Sequence, residues 1–539
     1  MLGITLSPCD EGVLRGAPDV RGCLQRARPW VLAATILGSS MAFIDGSVVN
    51  VALPAMQADL HAGVREAQWI LNAYMLMLGA LMLPGGALGD RFGRRRVFML
   101  GALVFTIASV ACGLAPNAAT LIMARGAQGV GGAMLTPGSL AIISAAFPKD
   151  ERGRAIGTWA GASALTTALG PVLGGWLVDA WSWRAIFFIN VPIAAIALLL
   201  SWWHVPETRG EPVESGVDWL GAALATIGLG VIAYGLTAAT ELGWSSAIVV
   251  GALVAGIVVL TVFIAHEARA RAPMVPLHLF RSKAFAGANV ITLLLYFALG
   301  GALFFVPFNL IRIQGYTATE AGAAFLPSTL VMGILSRWSG GLTERYGARL
   351  PLIVGPIIAA AAYGLFAATG TGGHYWSTFF PAMTVLGFGM AVSVAPLTTT
   401  VMAATDDRFA GAASGINNAT ARVAGMLAVA LLGAVAVGVF RSTLDQRLTQ
   451  IHASTPLRQA LLEQVPKLAE AEVPRQFDAA ERSAGQQALR AAFVRSFQVS
   501  MLIAAVLTLC CSLSAGLTIP GKKRAGSKPV AVQRTQRTL

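Results

Sequence analysis

Two charged side chains that lie inside apolar runs of this 539-residue chain could form a buried pair. Asp45 is the one acid well inside such a run. Arg125 lies in another run, with Gln128 three positions later on the same helical face. An ionised group at that depth costs several kcal/mol unless it is paired or faces water. We therefore expect Asp45 and Arg125 to be counter-ions beside a central cavity, where the carboxylate can bind and release a proton.

Arginine occurs three more times inside apolar runs. Arg337 and Arg495 lie near the ends of their runs, where a long side chain can reach water. Arg422 lies closer to the middle of its run and follows Asn417 and Asn418, so it is a candidate for a second polar site.

Patterns typical of a metal site, a nucleotide site or an enzyme are not found in the sequence. The six histidines have no ligand spacing, and the five cysteines have no paired spacing. The stretch GLTIPGKK at 516–523 resembles a phosphate-binding loop, but Lys523 stands where Ser or Thr is required. We therefore expect no metal, no cofactor and no bound nucleotide. A membrane-embedded enzyme would need a cluster of catalytic side chains, and none is seen.

Apolar runs of about twenty residues dominate the chain, and each is long enough to cross the hydrocarbon core of a bilayer as a helix. Hydrophobic residues make up 55% of the chain and charged residues 12%, with a mean hydropathy of +0.67. The sequence predicts an all-α polytopic membrane protein with fourteen spans. These are 30–52, 67–88, 97–115, 119–141, 155–178, 185–203, 218–238, 246–266, 284–310, 318–341, 351–370, 375–400, 412–440 and 493–519.

Lysine and arginine are concentrated in alternate connections between the runs. The short connections on one side hold only Arg65, Arg184 and Arg312. Because basic residues accumulate on the cytoplasmic side, we expect both chain ends to be cytoplasmic, in the inner membrane of a bacterium. This asymmetry also accounts for the net charge of +13, so we expect no nucleic acid partner.

A ten-residue stretch is repeated along the chain. GALGDRFGRR at 86–95 and GGLTERYGAR at 340–349 share five positions. Their separation fits two six-helix halves with two further helices between them, an arrangement known in transporters. The predicted divisions are a basic tail 1–29, an N-terminal bundle 30–203, a two-helix insertion 204–266, a C-terminal bundle 267–519 with a long loop at 441–492, and a basic tail 520–539.

Several motifs resemble those of the major facilitator superfamily, and more narrowly those of its fourteen-span drug:proton antiporters. The matching stretches are IDGSVVNVALP at 44–54, GALGDRFGRRR at 86–96, LIMARGAQGVGGAM at 121–134, ALGPVLGGW at 168–176 and WRAIFFINVP at 183–192. The resemblance covers nearly the whole chain. It implies the major facilitator fold, with two six-helix bundles and two additional central helices.

The resemblance also implies roles for individual residues. Proton coupling or the substrate cavity would involve Asp45, Asn50, Arg125 and Gln128, to which the residue pattern adds Arg422. A loop that gates the conformational cycle would include Gly86, Asp90, Arg91, Gly93, Arg94 and Arg95, with Glu344 and Arg345 in its second copy. The motif associated with antiporters would be Gly170, Pro171, Gly174 and Gly175, where small residues let helices pack closely or kink.

A proton-driven exporter of amphipathic or cationic small molecules is the function that the resemblance implies. We expect a monomer in the lipid bilayer, with a small-molecule substrate and protons as its partners. An importer of a small metabolite from the same superfamily is the alternative, although it would normally have twelve spans and lack the 170–175 motif. A membrane-embedded enzyme is the other alternative.

Overall fold

The computed structural model describes residues 20–147, 149–209, 218–270, 273–372, 374–405 and 410–521, which form helices and no β-strand. The α-helices are α1 (Val20–Asp59), α2 (Val64–Phe92), α3 (Arg94–Gly113), α4 (Ala118–Ala146), α5 (Lys149–Ala180), α6 (Ala185–Phe188), α7 (Asn190–His204), α8 (Trp219–Leu242), α9 (Ala247–Glu267), α10 (Lys283–Phe308), α11 (Ala318–Ala323), α12 (Leu326–Tyr346), α13 (Arg349–Ala367), α14 (Phe379–Ala403), α15 (Ala410–Gln450), α16 (Thr455–Glu463) and α17 (Ala479–Thr518). Shorter helical segments are Leu277–Arg281, Asn309–Ile313 and Val465–Glu470.

Thirteen segments of the described chain are long and apolar enough to cross a membrane, and each overlaps one of the predicted runs. The predicted all-α polytopic class is confirmed. Helix α5 covers the remaining run, 155–178, but is not one of the thirteen. The count of fourteen spans therefore stays a prediction.

The first helix differs in extent from its apolar run. Helix α1 begins at Val20 and ends at Asp59, whereas the predicted span was 30–52. A helix satisfies its own backbone hydrogen bonds in water as well as in lipid, so the end of an apolar run does not end the helix. The predicted tail 1–29 is therefore partly helical. Its residues 1–19, and residues 522–539 of the other tail, lie outside the described residues.

The segment 441–492, predicted as a long loop, is partly continuous with the helices on either side of it. Helix α15 continues to Gln450 and α17 begins at Ala479, so only the segment 451–478 connects them. This segment carries α16, and it buries Leu457, Leu461 and Leu468 against the end of the bundle. Leu457 and Leu461 are four residues apart and share one face of α16, which packs on the bundle. We call this end of the molecule the far face, and the end that carries residues 90–96 the basic face.

The halves of the bundle contact each other mainly at two places. Helices α1–α7 pack mainly on one another, and so do α10–α17, while α2 packs along α15 and α5 packs on α11 and α12. The inserted helices α8 and α9 pair with each other, and α8 also packs on both α2 and α15. The insertion therefore lies beside the junction between the halves.

The two copies of the repeated stretch have the same backbone turn. Gly93 has a φ of 111° between α2 and α3, and Gly347 has a φ of 79° between α12 and α13. Residues with a side chain rarely adopt such backbone angles, so glycine is required at both turns. Gly86 lies inside α2, where an added Cβ would be 3.5 Å from Pro137, an ordinary contact.

The far-face junction leaves no room for side chains. An added Cβ on Gly175 would lie 2.2 Å from the carbonyl oxygen of Ala318, and one on Gly322 would lie 2.0 Å from that of Pro171. Beside this contact, the Asp179 carboxylate accepts hydrogen bonds from two backbone amides at the start of α11, at 3.2 and 2.7 Å. Helix α5 of the first half is thus held against the second half at the far face.

We expect Gly175→Ala to weaken the far-face junction, because its methyl group would overlap backbone atoms that cannot rotate away. The control is Gly364→Ala in α13, where an added Cβ meets nothing within 4 Å. Both changes replace glycine by alanine inside a helix, which by itself stabilises the folded state by about 0.5–1 kcal/mol. This gain is the same for the two variants and cancels in the comparison. The melting temperature of the purified protein should fall by a few degrees for Gly175→Ala relative to Gly364→Ala. Equal melting temperatures would show that the junction can accommodate a side chain.

Candidate functional site

Asp45 and Arg125 meet in the middle of the first half. Arg125 Nη1 donates a hydrogen bond to Asp45 Oδ2 at 2.5 Å, and Gln128 Nε2 donates to Asp45 Oδ1 at 2.9 Å. Arg125 Nη1 also donates to Gln128 Oε1 at 2.7 Å. Both carboxylate oxygens therefore accept a hydrogen bond, as suits the ionised form. We call these three side chains the Asp45 cluster.

The guanidinium of Arg125 bridges two helices and does not bind Asp45 in a bidentate manner. Its Nε donates to the backbone carbonyl of Ile70 in α2 at 3.0 Å. The ring of Tyr74 lies against it, with the ring centroid 4.3 Å from Cζ. The backbone bond and the cation–π contact fix the plane of the guanidinium, which a lysine could not reproduce.

A second layer of polar side chains supports the cluster. Gln128 Nε2 also donates to Ser109 Oγ of α3 at 3.2 Å, and Asn190 Nδ2 of α7 donates to the same oxygen at 2.9 Å. Ser109 Oγ in turn donates to the carbonyl of Phe187 at 3.0 Å. Because each group is held by another, these bonds set the orientation of the Gln128 amide.

Glycines in α4 bring Arg125 within reach of these partners. An added Cβ on Gly129 would lie 2.6 Å from the carbonyl oxygen of Tyr74, and one on Gly131 would lie 2.5 Å from the amide nitrogen of Phe105. The backbone of α4 therefore approaches those of α2 and α3 more closely than any other residue would allow. This close approach places the Arg125 side chain between α1 and α2.

The Asp45 cluster is enclosed within the first half. Asp45 is 0% exposed and Arg125 is 1% exposed. This differs from the expectation that both side chains face a cavity, because in this conformation the two charges are stabilised by each other and by amide groups instead of by water. Removing one partner would leave an uncompensated buried charge, at a cost of about 3–5 kcal/mol.

The structure does not bring Asn50 or Arg422 into this cluster. Asn50 is 5% exposed, and its amide donates to the carbonyl of Gly46 in its own helix at 3.1 Å. Arg422 lies in α15 of the second half, against Gly79 of α2. The two halves thus contribute separate polar positions.

The loop on the basic face is tied to its own half. Asp90 Oδ1 accepts a hydrogen bond from Arg94 Nε at 2.9 Å, one turn later in the chain. The Glu207 carboxylate, which follows α7, accepts hydrogen bonds from the backbone amides of Arg95 at 3.1 Å and Arg96 at 3.3 Å. Glu207 therefore neutralises the start of α3, where unpaired amides favour an anion.

The two copies of this loop also share an aromatic contact. Arg91 Cζ lies 5.4 Å from the ring centroid of Phe92, and Arg345 Cζ lies 5.5 Å from that of Tyr346. Both arginines are exposed at the basic face. The side chain of Glu344 lies outside the described residues.

The 170–175 motif connects the far-face junction to the helix that carries Asp45. An added Cβ on Gly170 would lie 2.0 Å from Ser47 Oγ, and one on Gly174 would lie 2.1 Å from Val48 Cγ2. Ser47 and Val48 are two and three residues after Asp45 in α1. The glycines of α5 therefore pack directly on side chains of the segment that positions the carboxylate.

Sequence reasoning missed several members of these contacts. Tyr74, Ser109 and Asn190 hold the Asp45 cluster, and Asp179 and Glu207 bind helix starts at the two faces. Asn190 lies within the matched stretch 183–192, which was the available signal for it. The others have no periodic or motif signature, because their partners are distant in sequence.

Comparisons with known proteins agree with this architecture. The sequence profile of the Major Facilitator Superfamily matches residues 35–429. The multidrug resistance protein Stp of Mycobacterium tuberculosis is 34% identical over 82% of this chain and 82% of its own length. The tetracenomycin C resistance and export protein of Streptomyces glaucescens is 34% identical over 76% of each chain. The puromycin resistance protein pur8 of Streptomyces alboniger is 35% identical over 81% of this chain and 86% of its own length.

Solved structures share the fold. A bacterial homologue of the human lysosomal transporter Spinster, in an inward-facing and unoccupied conformation, matches with a TM-score of 0.63 and 20% identity, over 90% of this chain and 97% of its own. A transporter of the POT family bound to 5-aminolevulinic acid matches with a TM-score of 0.61 and 11% identity, over 90% and 95% of the two chains. At these identities the likeness extends to the fold.

We expect Arg125→Ala to destabilise the protein by about 3–5 kcal/mol, because it leaves the Asp45 carboxylate buried without a counter-charge. The double variant Asp45→Asn/Arg125→Gln removes both charges and keeps amide groups that can bond to one another. It should therefore melt at a higher temperature than Arg125→Ala in the same detergent. A double variant that melts below Arg125→Ala would show that the attraction between the charges exceeds the cost of burying them.

Proposed function

Because the chain belongs to the Major Facilitator Superfamily, we propose that it exports amphipathic or cationic drugs, or related small molecules, in exchange for protons. The names of the relatives, which refer to multidrug resistance and to resistance to single antibiotics, support this substrate class. The protein would act as a monomer in the inner membrane of a bacterium. The basic face and both chain ends would be cytoplasmic, since arginine and lysine accumulate on that side.

The observation that carries this proposal is the Asp45 cluster at mid-depth. Asp45 lies near the middle of the membrane segment Ala27–Asp59 and is paired with an arginine of another helix. A carboxylate enclosed at this depth has two stable states, one paired with the arginine and ionised, the other apart from it and protonated. A conformational change that separates the two side chains would therefore be linked to uptake of one proton.

Proton balance in the proposed cycle follows from these two states. When α1 and α4 move apart and water reaches the site from outside, the carboxylate binds a proton and becomes a neutral acid. When the helices return, Arg125 displaces that proton, which leaves towards the cytoplasm. Each cycle thus moves one proton inwards, and the substrate leaves in the half of the cycle in which the far face is open.

The far-face junction fits the first step of the proposed cycle. In the conformation described, the halves are bonded at the far face by the Asp179 carboxylate and by the contact at Gly175. A substrate would therefore enter from the basic face. Asp90 would exchange its bond with Arg94 for a partner in the second half when the basic face closes, which is the gating role expected for this loop.

We expect Asp45→Asn to abolish uphill transport while downhill exchange of substrate continues, because an amide keeps the packing but cannot carry a proton. The measurement uses proteoliposomes with an imposed pH difference and a fluorescent amphipathic substrate. The matched control is Thr35→Val, which removes another buried polar group of α1, a hydroxyl that donates to carbonyl groups of its own helix.

Two outcomes would contradict the proposal. Uphill transport by a folded Asp45→Asn protein would remove Asp45 as the coupling residue. Net accumulation of substrate on the side of the chain ends, measured in vesicles of known orientation, would indicate an importer instead of an exporter.

A further inference from the structure

Arg422 is a charged side chain at the middle of the membrane. Its Cβ lies 3.2 Å from the position that a Cβ on Gly79 would occupy, and Gly79 is midway along the membrane segment Val64–Phe92. Because α2 and α15 belong to different halves, Arg422 lies at their junction. Substrate sites of such transporters lie near the midplane between the repeats.

The guanidinium of Arg422 makes no hydrogen bond, ion pair or ring contact within the part of the chain that the structure describes. The residue is partly exposed, and none of its nitrogens is among the buried atoms without a partner. An arginine at this depth is tolerated when it faces water or a counter-ion. Arg422 therefore faces accessible space, and it contrasts with Arg125, whose charge is compensated.

Carboxylates near Arg422 are already engaged or distant. Both oxygens of Asp45 accept hydrogen bonds within the Asp45 cluster. In the second half, the described acidic side chains lie at helix ends or in connections, for example Glu320 at the start of α11 and Asp445 near the end of α15. The accessible space at mid-depth therefore carries an uncompensated positive charge.

Side chains around Arg422 have the character of a binding site for an amphipathic molecule. Asn418 is exposed on the same face of α15, one turn earlier. Tyr296 of α10 is partly exposed and close enough to interact with the charge of Arg422. Met75 contacts the same face of α15 at Gly425, where an added Cβ would lie 3.4 Å from its sulfur. Aromatic and thioether groups adapt to varied apolar skeletons.

We propose that Arg422 binds the acidic group of the substrate, so that the exporter accepts amphipathic organic anions such as carboxylates. This inference rests on the proposed function, because it assigns a substrate class to an export site. It also changes the expected order of preference. An anion at Arg422 would be favoured over a cation, since Asp45, the carboxylate that the described part of the chain places at this depth, is enclosed and paired. A charge-assisted hydrogen bond from a guanidinium to a carboxylate is the strong kind of polar contact.

The test is equilibrium binding of three labelled compounds with one skeleton to the purified full-length protein in nanodiscs, with empty nanodiscs subtracted. The compounds are 1-naphthylacetate, 2-(1-naphthyl)ethanol and 2-(1-naphthyl)ethylammonium. We expect the acid to bind more tightly than the alcohol by about tenfold or more, and the ammonium compound most weakly. Arg422→Gln should abolish the preference for the acid and leave binding of the alcohol unchanged, while Arg422→Lys should keep part of the preference.

The matched control is Arg495→Gln, which removes an exposed arginine from another membrane helix, α17. It should bind the three compounds as the unmodified protein does.

Arg422→Gln should melt at a temperature equal to or higher than that of the unmodified protein, because it removes an unpaired charge and no described bond. Equal affinities for the three compounds, a preference for the ammonium compound, or an Arg422→Gln protein that still prefers the acid would each overturn the inference. Since binding is measured without a proton gradient, any of these results would leave the proposed proton-coupled export standing.

Discussion

The ion pair between Asp45 and Arg125 is the interaction on which the first half depends, because neither charge is tolerated alone in the middle of a membrane bundle. Its position dictates the residues around it. Gly129 removes the side chain that would hold α4 away from α2, and Gln128 supplies the amide that saturates the second carboxylate oxygen. The polar layer behind the amide, in α3 and α7, exists because a buried amide must itself be satisfied.

The glycines of α5 link this ion pair to the junction between the halves. Helix α5 contacts α1 directly after Asp45 through Gly170 and Gly174, and it contacts α11 of the second half through Gly175. In the proposed cycle, opening the far face moves α5, and α1 follows because Gly170 and Gly174 let the two helices pack closely at Ser47 and Val48. The substrate position at Arg422 lies outside the Asp45 cluster, so exchange would arise from alternating conformations and not from competition for one carboxylate.

The helical class, the approximate position of each membrane run and the pairing of Asp45 with Arg125 could be predicted from the sequence, because each depends on the cost of polar groups in hydrocarbon. Helix ends could not, since α1 and α15 continue beyond their apolar runs without an energetic penalty. The enclosure of the Asp45 cluster was missed for a related reason: burial depends on which helices meet, and Tyr74 reaches Arg125 through a tertiary contact with no local signature. The packed segment 451–478 has polar composition, and its buried leucines are recognised only in the assembled bundle.

The central claim is that Asp45 exchanges Arg125 for a proton during transport, and proton release on substrate binding tests it most directly. The purified protein is placed in weakly buffered solution with a pH indicator, and a saturating amount of substrate is added. At a pH low enough for the Asp45 carboxylate to be protonated before substrate is added, the account predicts that the unmodified protein releases about one proton per molecule and that Asp45→Asn releases none, at equal substrate occupancy. The same number of protons exchanged by both proteins would contradict it.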